Sequence, residues 1–183
     1  MDEKVIIAGF GGQGVMAIGK LLAYAGMLEN KEISWLPSYG PEMRGGTAYC
    51  DVMISDSLIG SPVISHDATA AIIMNLPSLK KFEKEVMPGG KIIINKSLIN
   101  EETTRKDVDA YYIPANEIAA ELGNSKVSNM ILLGAYLELT KVVTIESTLE
   151  AFLKVFGENK TKVIPINREA LLKGGEAIRK AIK

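Results

Sequence analysis

Residues 5–15 read Val-Ile-Ile-Ala-Gly-Phe-Gly-Gly-Gln-Gly-Val, and this stretch decides the fold class. It joins a short β-branched run to a glycine-rich turn, and a helical pattern over residues 14–29 follows directly. Glycine has no Cβ, so the backbone N–H groups of such a turn can approach a ligand at the positive end of the helix. This layout is typical of a βα unit that binds a phosphate. A tight corner without a ligand has the same glycine spacing, so the motif alone leaves both interpretations open.

The remainder of the chain alternates strand and helix patterns, which predicts a three-layer α/β/α domain around a mixed, mostly parallel sheet. The predicted strands are 4–9, 33–36, 47–54, 68–74, 91–95 and 110–113, with residues 58–59 returning as a hairpin. The predicted helices are 14–29, 75–86, 117–122, 127–139, 144–156 and 168–182, the second of them stopped by the Pro-Gly-Gly at 88–90. No internal repeat or linker is evident, so we predict one domain over residues 1–183.

Composition narrows the function classes. The chain has 183 residues, 47% of them hydrophobic, and a formal net charge of −1, so neither a basic nucleic-acid groove nor a membrane-surface patch is indicated. The longest apolar runs are far shorter than a bilayer span, and residues 1–4 lack a signal-peptide pattern. We therefore expect a cytoplasmic protein without nucleic-acid or membrane partners.

The chain has one cysteine, Cys50, and one histidine, His66. An iron–sulfur cluster needs about four thiolates, and a structural zinc site needs about four cysteine or histidine ligands. No metal site is therefore expected, and any redox centre would belong to a partner or to a bound cofactor. Cys50 alternates with apolar neighbours and is expected to face the core, whereas His66 is expected at the surface.

A nicotinamide-dinucleotide site is disfavoured by the end of the second predicted strand. Such a site needs an acidic residue there to bind the ribose hydroxyls, about 20 residues after the glycines. The strand ends in Trp-Leu-Pro-Ser at residues 35–38, and Glu32 lies before it, at the wrong end. Arg44 lies in a glycine-flanked loop and not at the strand end, so it does not mark a 2′-phosphate site.

The two glycine loops together are much more specific than either alone. The sequence Gly-Phe-Gly-Gly-Gln-Gly-Val at 9–15, followed by Ser-Tyr-Gly-Pro-Glu-Met-Arg-Gly-Gly at 38–46, closely resembles the gamma subunit of 2-oxoacid:ferredoxin oxidoreductases. The resemblance continues through residues 51–55, 129–134 and 167–174, and so covers nearly the whole chain. The form of the second loop resembles the 2-oxoglutarate and ketoisovalerate branch more than the pyruvate branch.

This resemblance implies a role in a larger enzyme. The complete complex decarboxylates a 2-oxoacid on thiamine diphosphate, passes electrons through iron–sulfur clusters to ferredoxin, and forms an acyl-coenzyme A. The thiamine diphosphate and the clusters belong mainly to other subunits, and the gamma subunit is implicated in coenzyme A binding. The implied partners are alpha, beta and ferredoxin-like delta subunits, with ferredoxin as electron acceptor. The chain itself would supply no catalytic residue.

The candidate ligand-binding residues follow from the two loops. They are Gly9, Gly11, Gly12, Gln13 and Gly14 in the first loop, and Arg44, Gly45 and Gly46 in the second. Gln13 can donate to a phosphate or to a neighbouring loop. Arg44 can clamp an anion or pair within its own loop. Asn129 is interpreted as a satisfied polar group at a helix start.

Two other functions remain open from the sequence. One is a free-standing nucleotide- or coenzyme A-binding protein without an obligate partner. The other is the beta-type subunit of an indolepyruvate oxidoreductase, a sister group with the same Gly-Gly-Gln-Gly loop.

Overall fold

The computed structural model describes residues 2–38 and 47–182. The strands in this part of the chain are β1 (Glu3–Phe10), β2 (Glu32–Pro37), β3 (Thr47–Ser55), β4 (Ala68–Ile73), β5 (Val86–Asn95) and β6 (Asp109–Ile113). The helices are α1 (Val15–Leu28), α2 (Leu76–Phe82), α3 (Ala115–Glu121), α4 (Ser128–Thr140), α5 (Ile145–Phe156) and α6 (Ile164–Ala181). Short 3₁₀ turns at Glu83–Glu85, Ser125–Val127 and Glu158–Val163 lead out of α2 and into α4 and α6.

The strands form one sheet in the order β2-β3-β1-β4-β5-β6. Strand β3 is antiparallel to both of its neighbours, whereas β1, β4, β5 and β6 pair in parallel. The prediction of a mixed, mostly parallel sheet is therefore confirmed. The chain leaves β1 through α1 towards one edge of the sheet, and leaves β4 through α2 towards the other edge. Because the connections diverge there, the carboxyl ends of β1 and β4 border the crevice in which open α/β sheets bind ligands.

Helices cover both faces of the sheet, which makes three layers. Along β1, Val5 and Ile7 pack into the cluster that α1, α3, α4, α5 and α6 share, while Ile6 and Ala8 pack towards α2. All four side chains are at most 2% exposed. Burial on both faces explains why β1 and β4 read as continuous apolar runs instead of alternating ones.

Two glycines bring α4 and α6 into close contact. A Cβ on Gly134 would lie 2.1 Å from the Leu171 carbonyl oxygen, and one on Gly174 would lie 1.9 Å from the Ile131 carbonyl oxygen. Real side chains do not tolerate such distances, so the crossing requires glycine on both helices. This crossing holds α4, whose first turn borders the candidate site.

Three local predictions were wrong. Residues 58–59 form no hairpin strand, because the segment after β3 crosses the face that carries α2 and buries Ile64 there. The Pro-Gly-Gly at 88–90 does not stop a helix but lies inside β5, where the Gly89 N–H donates to the Asp107 carbonyl at 2.7 Å. Helix α6 begins at Ile164, before the predicted residue 168, because Pro165 suits a first helical turn.

Cys50 is fully buried, as predicted, and His66 is exposed at the surface. Within residues 2–38 and 47–182, no helix has the length and hydropathy needed to span a membrane.

Candidate functional site

The turn between β1 and α1 depends on glycine at two positions. Gly12 has φ of +90° and Gly14 has φ of +82°, both in the left-handed region that L side chains avoid. The Gln13 N–H closes the turn by donating to the Phe10 carbonyl at 3.2 Å. Gly14 is the N-cap of α1, and its carbonyl accepts the Ile18 N–H at 3.0 Å. The turn is therefore a fixed shape that leaves the backbone of residues 11 and 12 exposed.

The Gln13 side chain anchors this turn to the end of β4. Its Oε1 accepts the Phe10 N–H at 2.6 Å, and its Nε2 donates to the Met74 carbonyl at 3.2 Å. A Cβ on Gly9 would lie 2.6 Å from the same Oε1 and 2.9 Å from the Met74 Cβ. We predicted that Gln13 donates to a phosphate or to a neighbouring loop, and the structure shows the contact with the segment that follows β4. Gly9 has no Cβ and so leaves room for the Gln13 side chain.

The N-terminus of α1 is available to an anion. No side chain in the described residues caps it, and its first turn contains no acidic residue. The first N–H groups of a helix have no partner within the helix and carry partial positive charge. The amino end of this 14-residue helix therefore presents unused donors beside the exposed glycines.

Asn129, the second residue of α4, lies directly against the turn. A Cβ on Gly14 would lie only 2.1 Å from the Asn129 Nδ2. The Asn129 Oδ1 accepts the Met130 N–H at 2.8 Å, while the Nδ2 has no hydrogen-bond partner among the described residues. Gly14 is thus required by packing against α4 as well as by its own backbone conformation.

A pocket of about 390 Å³ opens at this edge of the sheet, and we call it the glycine pocket. The β1–α1 turn forms one wall, and the segments that follow β4, β5 and β6 and the start of α4 form the others. Its lining residues are Gly12, Gln13, Gly14, Met74, Asn95, Leu98, Asn116, Ser125, Lys126, Ser128, Asn129 and Leu132. It therefore lies at the carboxyl ends of the parallel strands, beside the crevice between β1 and β4.

Side-chain amides are held in place on the far wall of the glycine pocket. Asn95, 3% exposed at the end of β5, donates from its Nδ2 to the Asn116 Oδ1 at 2.9 Å. The Asn116 N–H donates to the Ser97 Oγ at 2.9 Å. The Ser97 hydroxyl also donates to Glu117, and this hydrogen bond lowers the pKa of the Glu117 carboxyl. The Asn116 Oδ1 already accepts a hydrogen bond from Asn95, so the Asn116 Nδ2, which can only donate, is the atom that this side chain can offer to a ligand.

The charge of the lining favours an anionic ligand. Lys126 is exposed and makes no ion pair with any described residue. None of the described residues that line the pocket is acidic. A positive lysine, a helix N-terminus and exposed backbone amides around one pocket attract phosphate or carboxylate groups. No group of three or more His, Cys, Asp or Glu residues suited to a metal ion occurs in the described ranges.

The structure extends the set of residues predicted from the sequence. It places Gly12, Gln13 and Gly14 at the glycine pocket, whereas the buried Gly9 and the exposed Gly11 are not among its lining residues. Arg44, Gly45 and Gly46 lie outside the described residues, and ligand binding by all of these residues stays a prediction. Sequence reasoning missed Asn95, Asn116 and Lys126. A usable signal was present, since Asn95 directly ends a buried strand and polar residues at such ends commonly meet ligands.

Comparison with known proteins is informative once this geometry is clear. The family profile described as "Pyruvate ferredoxin/flavodoxin oxidoreductase" matches residues 4–177. The chain belongs to this family. The resemblance to gamma subunits that the two glycine loops indicated is thereby confirmed at the level of the oxidoreductase family.

Among family members, ketoisovalerate oxidoreductase subunit VorA of Methanothermobacter marburgensis is 36% identical over 182 residues, covering 100% of this chain. The chain spans only 38% of the length of that relative. 2-Oxoglutarate synthase subunit KorC of Methanocaldococcus jannaschii is 35% identical over 157 residues, covering 84% of this chain and 83% of KorC. The crystal structure of a keto/oxoacid ferredoxin oxidoreductase gamma subunit from Geobacter sulfurreducens superposes with a TM-score of 0.82 at 26% identity, covering 98% of this chain and 99% of that one.

Proposed function

We propose that this chain acts as the gamma-type part of a 2-oxoacid:ferredoxin oxidoreductase, and that its glycine pocket receives a phosphate group of coenzyme A. Family membership and the names of VorA and KorC support the first half of the proposal. The second half depends on one observation. Among the described residues, the glycine pocket combines a helix N-terminus without a side-chain cap, exposed glycine amides and a lysine without an ion-pair partner, and none of these lining residues is acidic.

The proposal extends to the rest of the complex. The chain would form a single gamma-type domain over residues 1–183 in the cytoplasm, beside alpha, beta and ferredoxin-like delta subunits. Those subunits would carry thiamine diphosphate and the iron–sulfur clusters, and ferredoxin would accept the electrons. The substrate would be 2-oxoglutarate or a branched-chain 2-oxoacid, in keeping with the names of the relatives.

Each wall of the glycine pocket has a distinct task in this proposal. The N–H groups of Gly11, Gly12 and the first turn of α1 donate to the phosphate oxygens. Lys126 supplies the full positive charge. The side-chain amides of Asn116, on the far wall, and of Asn129, beside the turn, supply further donors. Arg44, Gly45 and Gly46 stay part of the proposal as a second group of phosphate contacts.

The direct test is coenzyme A binding to the full chain by calorimetry. Lys126→Ala removes one charge-assisted hydrogen bond, so we expect affinity to fall by about 1–2 kcal/mol, roughly five- to thirtyfold. Lys106→Ala is the matched control. Lys106 is also exposed, but it lies before the amino end of β6, whereas the glycine pocket lies at the carboxyl ends of the parallel strands. Equal affinity of Lys126→Ala and wild type would show that the phosphate binds elsewhere.

A second test separates ligand binding from a purely structural turn. Gly12 points into open space, since no atom lies within 4 Å of an added Cβ, but its φ of +90° strains any side chain. In the assembled complex, Gly12→Val should raise the KM for coenzyme A while decarboxylation continues. Gly12→Ala controls for backbone strain with a smaller side chain. An unchanged KM in a folded, assembled Gly12→Val variant would favour a role of the turn at a subunit interface.

A further inference from the structure

A second pocket, of about 420 Å³, adjoins the glycine pocket. The two share Lys126 and Asn129, which stand in the wall between them. Helix α1, the end of α5 and the 3₁₀ turn before α6 complete the second pocket, to which we give the name phenylalanine pocket after Phe152 and Phe156. A ligand bound beside Lys126 can therefore extend from one pocket into the other.

The phenylalanine pocket offers an aromatic surface. Phe152 and Phe156 lie one turn apart on α5, with ring centroids 4.8 Å apart and planes tilted by 56°. Phe156 is 38% exposed, although a side chain of this size gains free energy from burial. Ala17 and Leu21 of α1 also line this pocket and add apolar surface to that of the two rings. Such a surface suits a flat ring that stacks on phenylalanine.

The charged residues of the phenylalanine pocket are both lysines. Lys126 and Lys160 are exposed, and neither makes an ion pair within the described ranges. No acidic residue lines this pocket within the part of the chain that the structure describes. Aromatic walls beside two available lysines fit a ligand that combines a planar ring with phosphate groups. A purine nucleotide has this chemistry, whereas a plain acyl chain lacks both the ring and the charge.

We propose that the phenylalanine pocket binds the adenine ring of the nucleotide whose phosphate enters the glycine pocket. Lys126 then contacts phosphate oxygens from the shared wall, and Lys160 pairs with a second phosphate on the ribose side. This inference rests on the proposed coenzyme A role, since coenzyme A carries an adenine ring, a ribose 3′-phosphate and a pyrophosphate. It adds that the adenine end of coenzyme A, and not the pantetheine end, lies against α5.

The test uses the full chain and two fragments of coenzyme A. Adenosine 3′,5′-bisphosphate contains the ring and phosphates, whereas pantetheine 4′-phosphate contains a phosphate without the ring. Phe156→Ala should lower the affinity for the bisphosphate by about five- to tenfold, because stacking is lost, and leave the affinity for pantetheine 4′-phosphate unchanged. Phe156→Tyr should retain affinity for both. Met87→Ala is the control for an exposed apolar side chain, at 40% exposure and at the amino end of β5.

Nuclear Overhauser effects between the adenine H2 or H8 and the Phe152 and Phe156 ring protons supply an independent readout. We expect these effects in wild type, and we expect Lys160→Ala but not Lys106→Ala to weaken the bisphosphate. If Phe156→Ala binds the bisphosphate as tightly as wild type does, or lowers the affinity for both fragments equally, the adenine ring lies elsewhere and this inference is wrong. If Lys126→Ala still weakens coenzyme A in that case, the proposed function stands. If wild type binds no coenzyme A, both proposals are wrong.

Discussion

Replacement of Gly14 by alanine tests how closely the β1–α1 turn packs against the start of α4. Alanine at φ +82° costs about 1–2 kcal/mol of left-handed strain. Its Cβ would also lie 2.1 Å from the Asn129 Nδ2, so Asn129 must move, and forced overpacking costs about 1–3 kcal/mol. We therefore expect Gly14→Ala to lower the free energy of unfolding by roughly 2–5 kcal/mol. In a domain of this length, that corresponds to a fall in Tm of roughly 4–20 °C.

The assay is urea unfolding, followed by circular dichroism, on four variants: Gly14→Ala, Gly12→Ala, Asn129→Ala and the Gly14→Ala/Asn129→Ala double variant. Gly12→Ala is the matched control, because it carries the same kind of backbone strain with no atom within 4 Å of the new Cβ, and should lose only about 1–2 kcal/mol. Asn129→Ala in the Gly14→Ala background should restore about 1–2 kcal/mol by removing the overlap. The reasoning fails if Gly14→Ala is no worse than Gly12→Ala, or if the two substitutions are additive in the double-mutant cycle.

Three further outcomes are expected. Gly174→Ala should lower the free energy of unfolding by about 3 kcal/mol or prevent folding, because its Cβ would lie 1.9 Å from the Ile131 carbonyl oxygen. Gly60→Ala, whose Cβ has no described atom within 4 Å, should be nearly neutral in the same urea titration. Burial raises the pKa of Asp51 to about 6, so the native state binds more protons than the unfolded state between about pH 4 and 6. Stability should therefore fall as pH rises through this window, and Asp51→Asn should be more stable than wild type by roughly 3 kcal/mol at pH 7 but not at pH 4. Burial raises the pKa of the Cys50 thiol to about 12, so a thiol reagent at pH 8 should label it only after unfolding, and rapid labelling of native protein would contradict its burial.

Much of the fold was predictable because local patterns carry it. The apolar runs of β1, β4 and β5 indicated strands, and the helical spacing after Gly14 indicated α1. The errors came where distant contacts override local signals. Proline and glycine at 88–90 normally end a helix. Here the β4–β5 pairing is irregular across these residues and resumes at Lys91, and the Gly89 N–H donates to the Asp107 carbonyl, so the segment stays within β5.

The candidate site divides in the same way. Its first half, the glycine turn and the start of α1, is one continuous segment whose chemistry is visible in the residue types alone. The sequence also indicated the oxidoreductase family, because two glycine loops in order are specific. It could not show the second reason for glycine at residue 14, which is that an added Cβ would meet the side chain of Asn129, far away along the chain.

The sequence by itself determined the strand–turn–helix unit, the mixed parallel sheet and the family. Only the tertiary structure decided which residues complete the pocket. Asn95, Asn116 and Lys126 belong to three separate segments, and they meet because the strand order places the carboxyl ends of β1, β4, β5 and β6 along one edge. Strand order is set by the packing of helices on the two faces of the sheet, and no local pattern of residues records it.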